Sequence, residues 1–133
     1  MEKIQIAGSH DVYFVPSVDF DPDTQSCLLA GESYLEETLE FYEPLMEWLE
    51  RYFIEVDKKL TFNIKLTYFN TSSSRCVLDI LNLLKDYEDS GGKVDINWYY
   101  DPEDSDMIEE VEDYMIDAEL KIKMIVLKDE ELS

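Results

Sequence analysis

The sequence predicts an α/β fold, a mixed β-sheet with about three helices packed on it, and three consecutive stretches point to it. In residues 60–68, Leu60, Phe62, Ile64, Leu66 and Tyr68 alternate with Thr61, Asn63, Lys65 and Thr67. A period of two turns one face to the core and the other to polar surroundings, which is a strand. From Arg75 onward the period changes: Val77, Leu78, Ile80, Leu81, Leu84 and Tyr87 recur at helical steps until Gly91 and Gly92 close the stripe. Val94, Ile96, Trp98 and Tyr100 then alternate with Lys93, Asp95, Asn97 and Tyr99, a second strand. A helical crossover between two such strands makes them parallel.

Toward the N-terminus, residues 3–6 and 12–15 predict short extended pieces, interrupted by Gly8-Ser9 and Pro16. Residues 18–20 and 27–30 flank DPDTQS, whose Asp21-Pro22-Asp23 is a turn sequence, and predict an antiparallel hairpin. Asp19, Asp21 and Asp23 imitate the start of a calcium loop, but Thr24 and Ala30 stand where that loop needs its glycine and its bidentate glutamate. Ser33, three residues before Glu36, has the spacing of a capping box and predicts a helix start. Leu35, Leu39, Tyr42, Leu45, Met46, Leu49 and Phe53 give that helix its apolar stripe, and Pro44 inside it predicts a kink or a restart. Phe41, Trp48 and Tyr52 widen the stripe, as core or as a partner surface. After the second strand, Met107, Ile108, Val111, Tyr114 and Met115 mark a third helix, residues 121–127 a last strand, and KDEELS a frayed tail. The order is ββαβαβαβ, in a single domain over residues 1–133.

Composition narrows the function. With 45% hydrophobic and 13% aromatic residues, the 133-residue chain can bury a real core. Its 11 Lys and Arg against 32 Asp and Glu give a formal charge of −21. Nucleic acid and anionic membranes are thereby excluded as partners, since both are held through Lys and Arg contacts. Basic or charge-patterned protein surfaces fit better. Cys27 and Cys76 stand alone in apolar contexts, as buried reduced thiols do. The opening MEKIQIAGSHD has no apolar signal core, and no run reaches the roughly 20 apolar residues of a membrane span. A cytoplasmic location follows as the expectation.

Nothing in the chain assembles a catalyst. His10 is the sole histidine, no Gly-x-Ser-x-Gly elbow or phosphate-binding loop occurs, and 4 glycines leave little backbone for cradling a nucleotide. No enzymatic activity and no cofactor are expected. Two sites remain as candidates. Asn70, Thr71, Ser72, Ser73 and Ser74 fill the junction between the first strand and its helix, and any of them can cap that helix. A helix N-terminus also offers free N–H groups and a partial positive charge, which suit an anion or a phosphoacceptor. The other candidate is the carboxylate group Asp101, Glu103, Asp104 and Asp106, which would make this a small acidic metal- or ligand-binding domain. Acidic residues at a helix start are favoured by its dipole and fan around the axis, so no metal is expected there.

The segments YFNTSSSR and NWYYDPEDSDMIEE, separated by the leucine-rich helix, together with GESY at 31–34 and FYEPLMEWLERY at 41–52, resemble the SiaC-type regulatory phosphoproteins. The resemblance covers nearly the whole chain, and an NTSSS block followed by a WYYD block is far more specific than a lone serine-rich turn. It implies a fold like the STAS domains of anti-sigma-factor antagonists, with Thr71 as the regulatory phosphorylation site and Asn70, Ser72, Ser73, Ser74 and Arg75 as the surrounding partner surface. It further implies a cognate histidine-kinase-like serine/threonine kinase, a metal-dependent phosphatase, and a diguanylate cyclase bound by the unphosphorylated form. Two positions depart from the family pattern, Arg75 where lysine is expected and Val111 where glycine is expected.

Overall fold

The computed structural model describes residues 1–127, so the KDEELS tail lies outside the described residues. In chain order the elements are β1 (Ile4–Ile6), β2 (Ser9–His10), β3 (Phe14–Val15), β4 (Ser17–Asp21), β5 (Ser26–Ser33), α1 (Thr38–Glu55), β6 (Leu60–Phe69), α2 (Thr71–Asp89), β7 (Val94–Tyr100), α3 (Ser105–Ala118) and β8 (Lys123–Val126). Six strands form one mixed sheet in the order β1-β4-β5-β6-β7-β8. The β1–β4 and β4–β5 pairs are antiparallel, whereas β5–β6, β6–β7 and β7–β8 are parallel. The expected parallel pairing of β6 with β7 is present, from Leu60 opposite Val94 to Ile64 opposite Trp98.

Register explains why one face is dry. Rows across the sheet align Phe20, Cys27, Phe62 and Ile96, and then Val18, Leu29, Ile64 and Trp98, all of them buried. The intervening row runs Asp19, Leu28, Asn63, Asn97 and Lys123, and there Asn97 donates to Asn63 at 3.0 Å. Helix α2 contacts both α1 and α3, and its Val77, Leu81 and Leu84 are buried in the common core. Trp48 and Tyr52 of α1 belong to that core as well, with Phe41 packed against it, so these three are core, whereas Leu39 of the same stripe is exposed. Gly91 takes φ +104° just past α2. A side chain at Gly92 would meet the Tyr87 ring at 2.5 Å, so the pair of glycines both ends the helix and makes room for the ring.

Four local expectations are corrected. Ser33 does not cap α1; it is the last residue of β5 and fully buried. Helix α1 begins at Thr38 after Glu37, which makes no side-chain cap bond. The capping-box spacing failed because β5 extends past the bulge at Gly31 and Glu32 to pair with β6 as far as Phe69, and the sheet claims Ser33 first. Pro44 neither ends nor restarts α1, which runs unbroken from Thr38 to Glu55. Pro44 and Glu40 lie on the exposed side, where the carbonyl deprived of its donor can be hydrated. The last strand is shorter than expected, four residues from Lys123 to Val126. The piece expected at 12–15 is also only half extended: Phe14 and Val15 pair with Ser9 and His10 in a separate two-stranded ribbon.

Candidate functional site

The junction of β6 and α2 lies at the end of the parallel strands, where loop residues meet a helix N-terminus. Asn70, in an extended conformation, is the N-cap: its side-chain oxygen accepts from the Ser73 N–H at 3.0 Å. Its own N–H donates to the Ser33 carbonyl at 3.0 Å, which ties the cap to β5. The cap therefore belongs to Asn70, and Thr71 is the first residue of the helix.

The three serines that follow each reach a different neighbour. Ser72 Oγ lies 2.8 Å from Thr38 Oγ1 at the start of α1. Ser73 is fully buried and accepts from Ser33 Oγ at 2.7 Å. Because the Ser33 proton is spent there, the Tyr42 hydroxyl, 2.7 Å away, is the donor to Ser33. Ser74 Oγ donates to Glu110 at 3.0 Å and lies 2.6 Å from the Tyr114 hydroxyl. Burial pushes Tyr42 up to about 12, with the Ser33 hydrogen bond pulling the other way. Burial likewise drives Tyr114 upward. Both phenols are thus neutral hydrogen-bonding groups at physiological pH.

Only Thr71 is left out of this scheme. It is exposed, and among the described residues no hydrogen bond engages its side chain. It borders a cleft of about 450 Å³ whose far wall is the start of α3, with Asp104, Asp106, Met107 and Glu110. Arg75, four residues on, is well exposed and paired with Asp79 at 3.5 Å. Of the residues expected to form the partner surface, Ser72 and Arg75 are exposed, Asn70 and Ser74 are half-buried, and Ser73 is buried.

Two of the four carboxylates at 101–106 serve local backbone structure. Asp101 Oδ1 accepts from the Glu103 N–H at 2.9 Å, and Asp104 caps α3 through the Met107 N–H at 3.1 Å. Among the described residues, no three His, Cys, Asp or Glu side chains are grouped to hold a metal ion. His10 lies in β2, with Nε2 3.5 Å from Glu32. Sequence reasoning missed Ser33, Thr38, Tyr42 and Tyr114, because a buried hydroxyl partner 9 to 40 residues away leaves no local pattern.

The chain is a mixed α/β protein whose central strand-to-helix junction presents an exposed threonine hydroxyl beside an acidic cleft. The model of the SiaC family regulatory phosphoproteins matches residues 9–127, and the chain belongs to that family. It is 28% identical over 118 residues to an uncharacterized protein of Pseudomonas aeruginosa (strain UCBPP-PA14), covering 89% of this chain and 91% of that one. Among solved structures it resembles SiaC of Pseudomonas aeruginosa, with a TM-score of 0.82 and 26% identity over 96% of this chain and 98% of that one. It also resembles a chain in the crystal structure of the diguanylate cyclase SiaD in complex with its activator SiaC from Pseudomonas aeruginosa. There the TM-score is 0.85, again at 26% identity, over 93% of this chain and 99% of the other.

Proposed function

We propose that this chain is a non-enzymatic, cytoplasmic partner switch that binds a diguanylate cyclase in its unmodified form and is controlled by reversible phosphorylation of Thr71. One observation carries the reading: of the four consecutive hydroxyls that open α2, only that of Thr71 is exposed and unengaged. A kinase can take up that hydroxyl without breaking the links among α1, β5 and α3. The likeness to an activator complexed with a diguanylate cyclase supports the choice of effector. A cognate serine/threonine kinase and a metal-dependent phosphatase complete the cycle, as the family resemblance implies.

The physical basis of the switch is the contrast between a small neutral hydroxyl and a phosphate. Phosphorylation adds about −1.5 to −2 charges and three acceptor oxygens. Within the chain, the N-terminus of α2 favours that charge by about 0.3–1 kcal/mol at an exposed site. A partner lying flat over the cleft must instead strip water from a dianion already beside Asp104, Asp106 and Glu110. Unless the partner brings matched cations, that cost exceeds the internal gain. The partner leaves while the fold stays.

The test is phosphopeptide mapping after incubation with the cognate kinase, followed by cyclase binding. Phosphate on Thr71, loss of cyclase binding on modification, and retained binding by Thr71→Ala are expected. Phosphate on Ser72 or Ser74 would move the site. Full binding by the stoichiometrically phosphorylated chain would remove the switch.

A further inference from the structure

Soluble proteins scatter their exposed apolar side chains, and a contiguous group of them marks an interaction surface. At the end of the molecule that carries the β6–α2 junction, the β2–β3 ribbon places such a group. Val12 is 81% exposed at the tip, and the rings of Tyr13, Tyr34 and Tyr68 are each more than a third exposed. The rings form a chain: Tyr34 lies 6.4 Å from Tyr13, 6.2 Å from Phe14 and 6.4 Å from Tyr68. Paired backbone bonds of 2.9 Å between Phe14 and Tyr34 hold the ribbon against the end of β5. Between Val12, Phe14, Tyr34 and Tyr68 opens a hollow of about 540 Å³. This ribbon adds nothing to the main sheet, and none of its side chains belongs to the core cluster.

Two further observations say what covers it. The hollow shares Thr67 and Tyr68 with the Thr71 cleft, so the two are one continuous surface. Its rim is acidic: Glu32 lines it, Glu36 accepts from the Tyr13 hydroxyl at 2.9 Å, and Glu37 follows in sequence. Among the described residues, no Lys or Arg lines this hollow. We infer that this aromatic platform anchors the effector, taking an amphipathic segment of the diguanylate cyclase whose apolar side chains fill the hollow while its Lys or Arg side chains reach Glu32 and Glu36. The inference rests on the partner-switch reading and deepens it. The platform supplies adhesion, aromatic side chains being the usual anchors of interfaces. The Thr71 corner, at the other end of the shared wall, supplies control.

The experiment measures the affinity of the diguanylate cyclase encoded in the same genome for the unphosphorylated chain and for Val12→Ser, Tyr34→Ser and Glu32→Gln/Glu36→Gln variants. Val12→Ser, at a position with almost no packing, keeps the wild-type melting temperature and serves as the arm that cannot fail through misfolding. Val12→Ser and Tyr34→Ser together are expected to raise Kd at least tenfold. The double Gln variant is expected to slow association and to flatten its dependence on NaCl. Wild-type affinity in the Val12→Ser/Tyr34→Ser chain would overturn the platform while leaving the switch intact. A wild-type chain that binds no cyclase defeats the switch itself, and the platform's occupant with it. A self-associated dimer that Val12→Ser dissolves, in the absence of cyclase, would overturn the inference in favour of a second copy of this chain.

Discussion

Asn70 and Thr71 are neighbours with opposite duties, and the difference is energetic. Asn70 satisfies an orphan N–H of α2 and ties it to β5. Asn70→Ala should therefore cost about 0.5–2 kcal/mol. Thr71→Ala removes a side chain that makes no hydrogen bond among the described residues, so its effect should stay within about 0.5 kcal/mol. Ser73→Ala strands the buried Ser33 donor and should cost about 1–3 kcal/mol. Urea unfolding of the three variants ranks them; a Thr71→Ala loss as large as that of Asn70→Ala would mean that Thr71 shares the cap. Arg75 carries a second expectation. It stands four residues from both Thr71 and Asp79, and long helical side chains lean toward the N-terminus. A phosphate on Thr71 should draw the guanidinium away from Asp79. The second ionisation of phosphothreonine, followed by ³¹P NMR, should then rise by about 0.2–0.4 unit in Arg75→Gln, which corresponds to an i,i+4 ion pair of about 0.3–0.5 kcal/mol. An unchanged titration would show that Arg75 ignores the phosphate.

At the scale of elements, the first turn of α2 is a fastener. Ser72 holds α1, Ser73 holds β5 and through Ser33 meets Tyr42 of α1, and Ser74 holds α3 through Glu110 and Tyr114. A serine run that looks redundant to a single cap is thus fully employed. The fastener has a pH signature. Tyr42 is raised by burial from an ordinary value of 10.0 to about 12, and Tyr114 is raised in the same direction. Because the folded state holds these protons more tightly than the unfolded chain, the stabilisation is complete below pH 10. It is lost as pH climbs toward 12. For Tyr42 this amounts to about 2–3 kcal/mol at about 1.4 kcal/mol per unit. The melting temperature should fall steeply over pH 10–12, and Tyr42→Phe, though less stable at neutral pH, should fall less. Equal pH slopes in the two proteins would exclude Tyr42 from the alkaline transition.

For the whole molecule, the dominant fact is a charge of −21 on 133 residues. Such self-repulsion opposes the compact state and is screened by salt. Raising NaCl from about 0.02 to 0.5 M, where the Debye length falls from about 20 Å to about 4 Å, should raise the melting temperature. A fall would imply that the five Lys and Arg ion pairs among the described residues outweigh the repulsion. The larger pattern divides by range. Periodicity alone determined β6, α2, β7 and the parallel pairing, since alternation at two and recurrence at three to four leave few ways to bury Leu60–Leu66 and Val77–Leu84 together. The motif at 70–75 likewise located the junction. Tertiary structure decided the rest: that Ser33 belongs to β5 and not to a cap, that Pro44 is harmless on a hydrated face, and that Thr71 is the free hydroxyl among four. It also decided that Tyr13, Tyr34 and Tyr68, dispersed along the chain, form one platform. Each of these depends on a partner many residues away, and a local pattern holds no record of which distant group will satisfy a hydrogen bond or leave a ring uncovered.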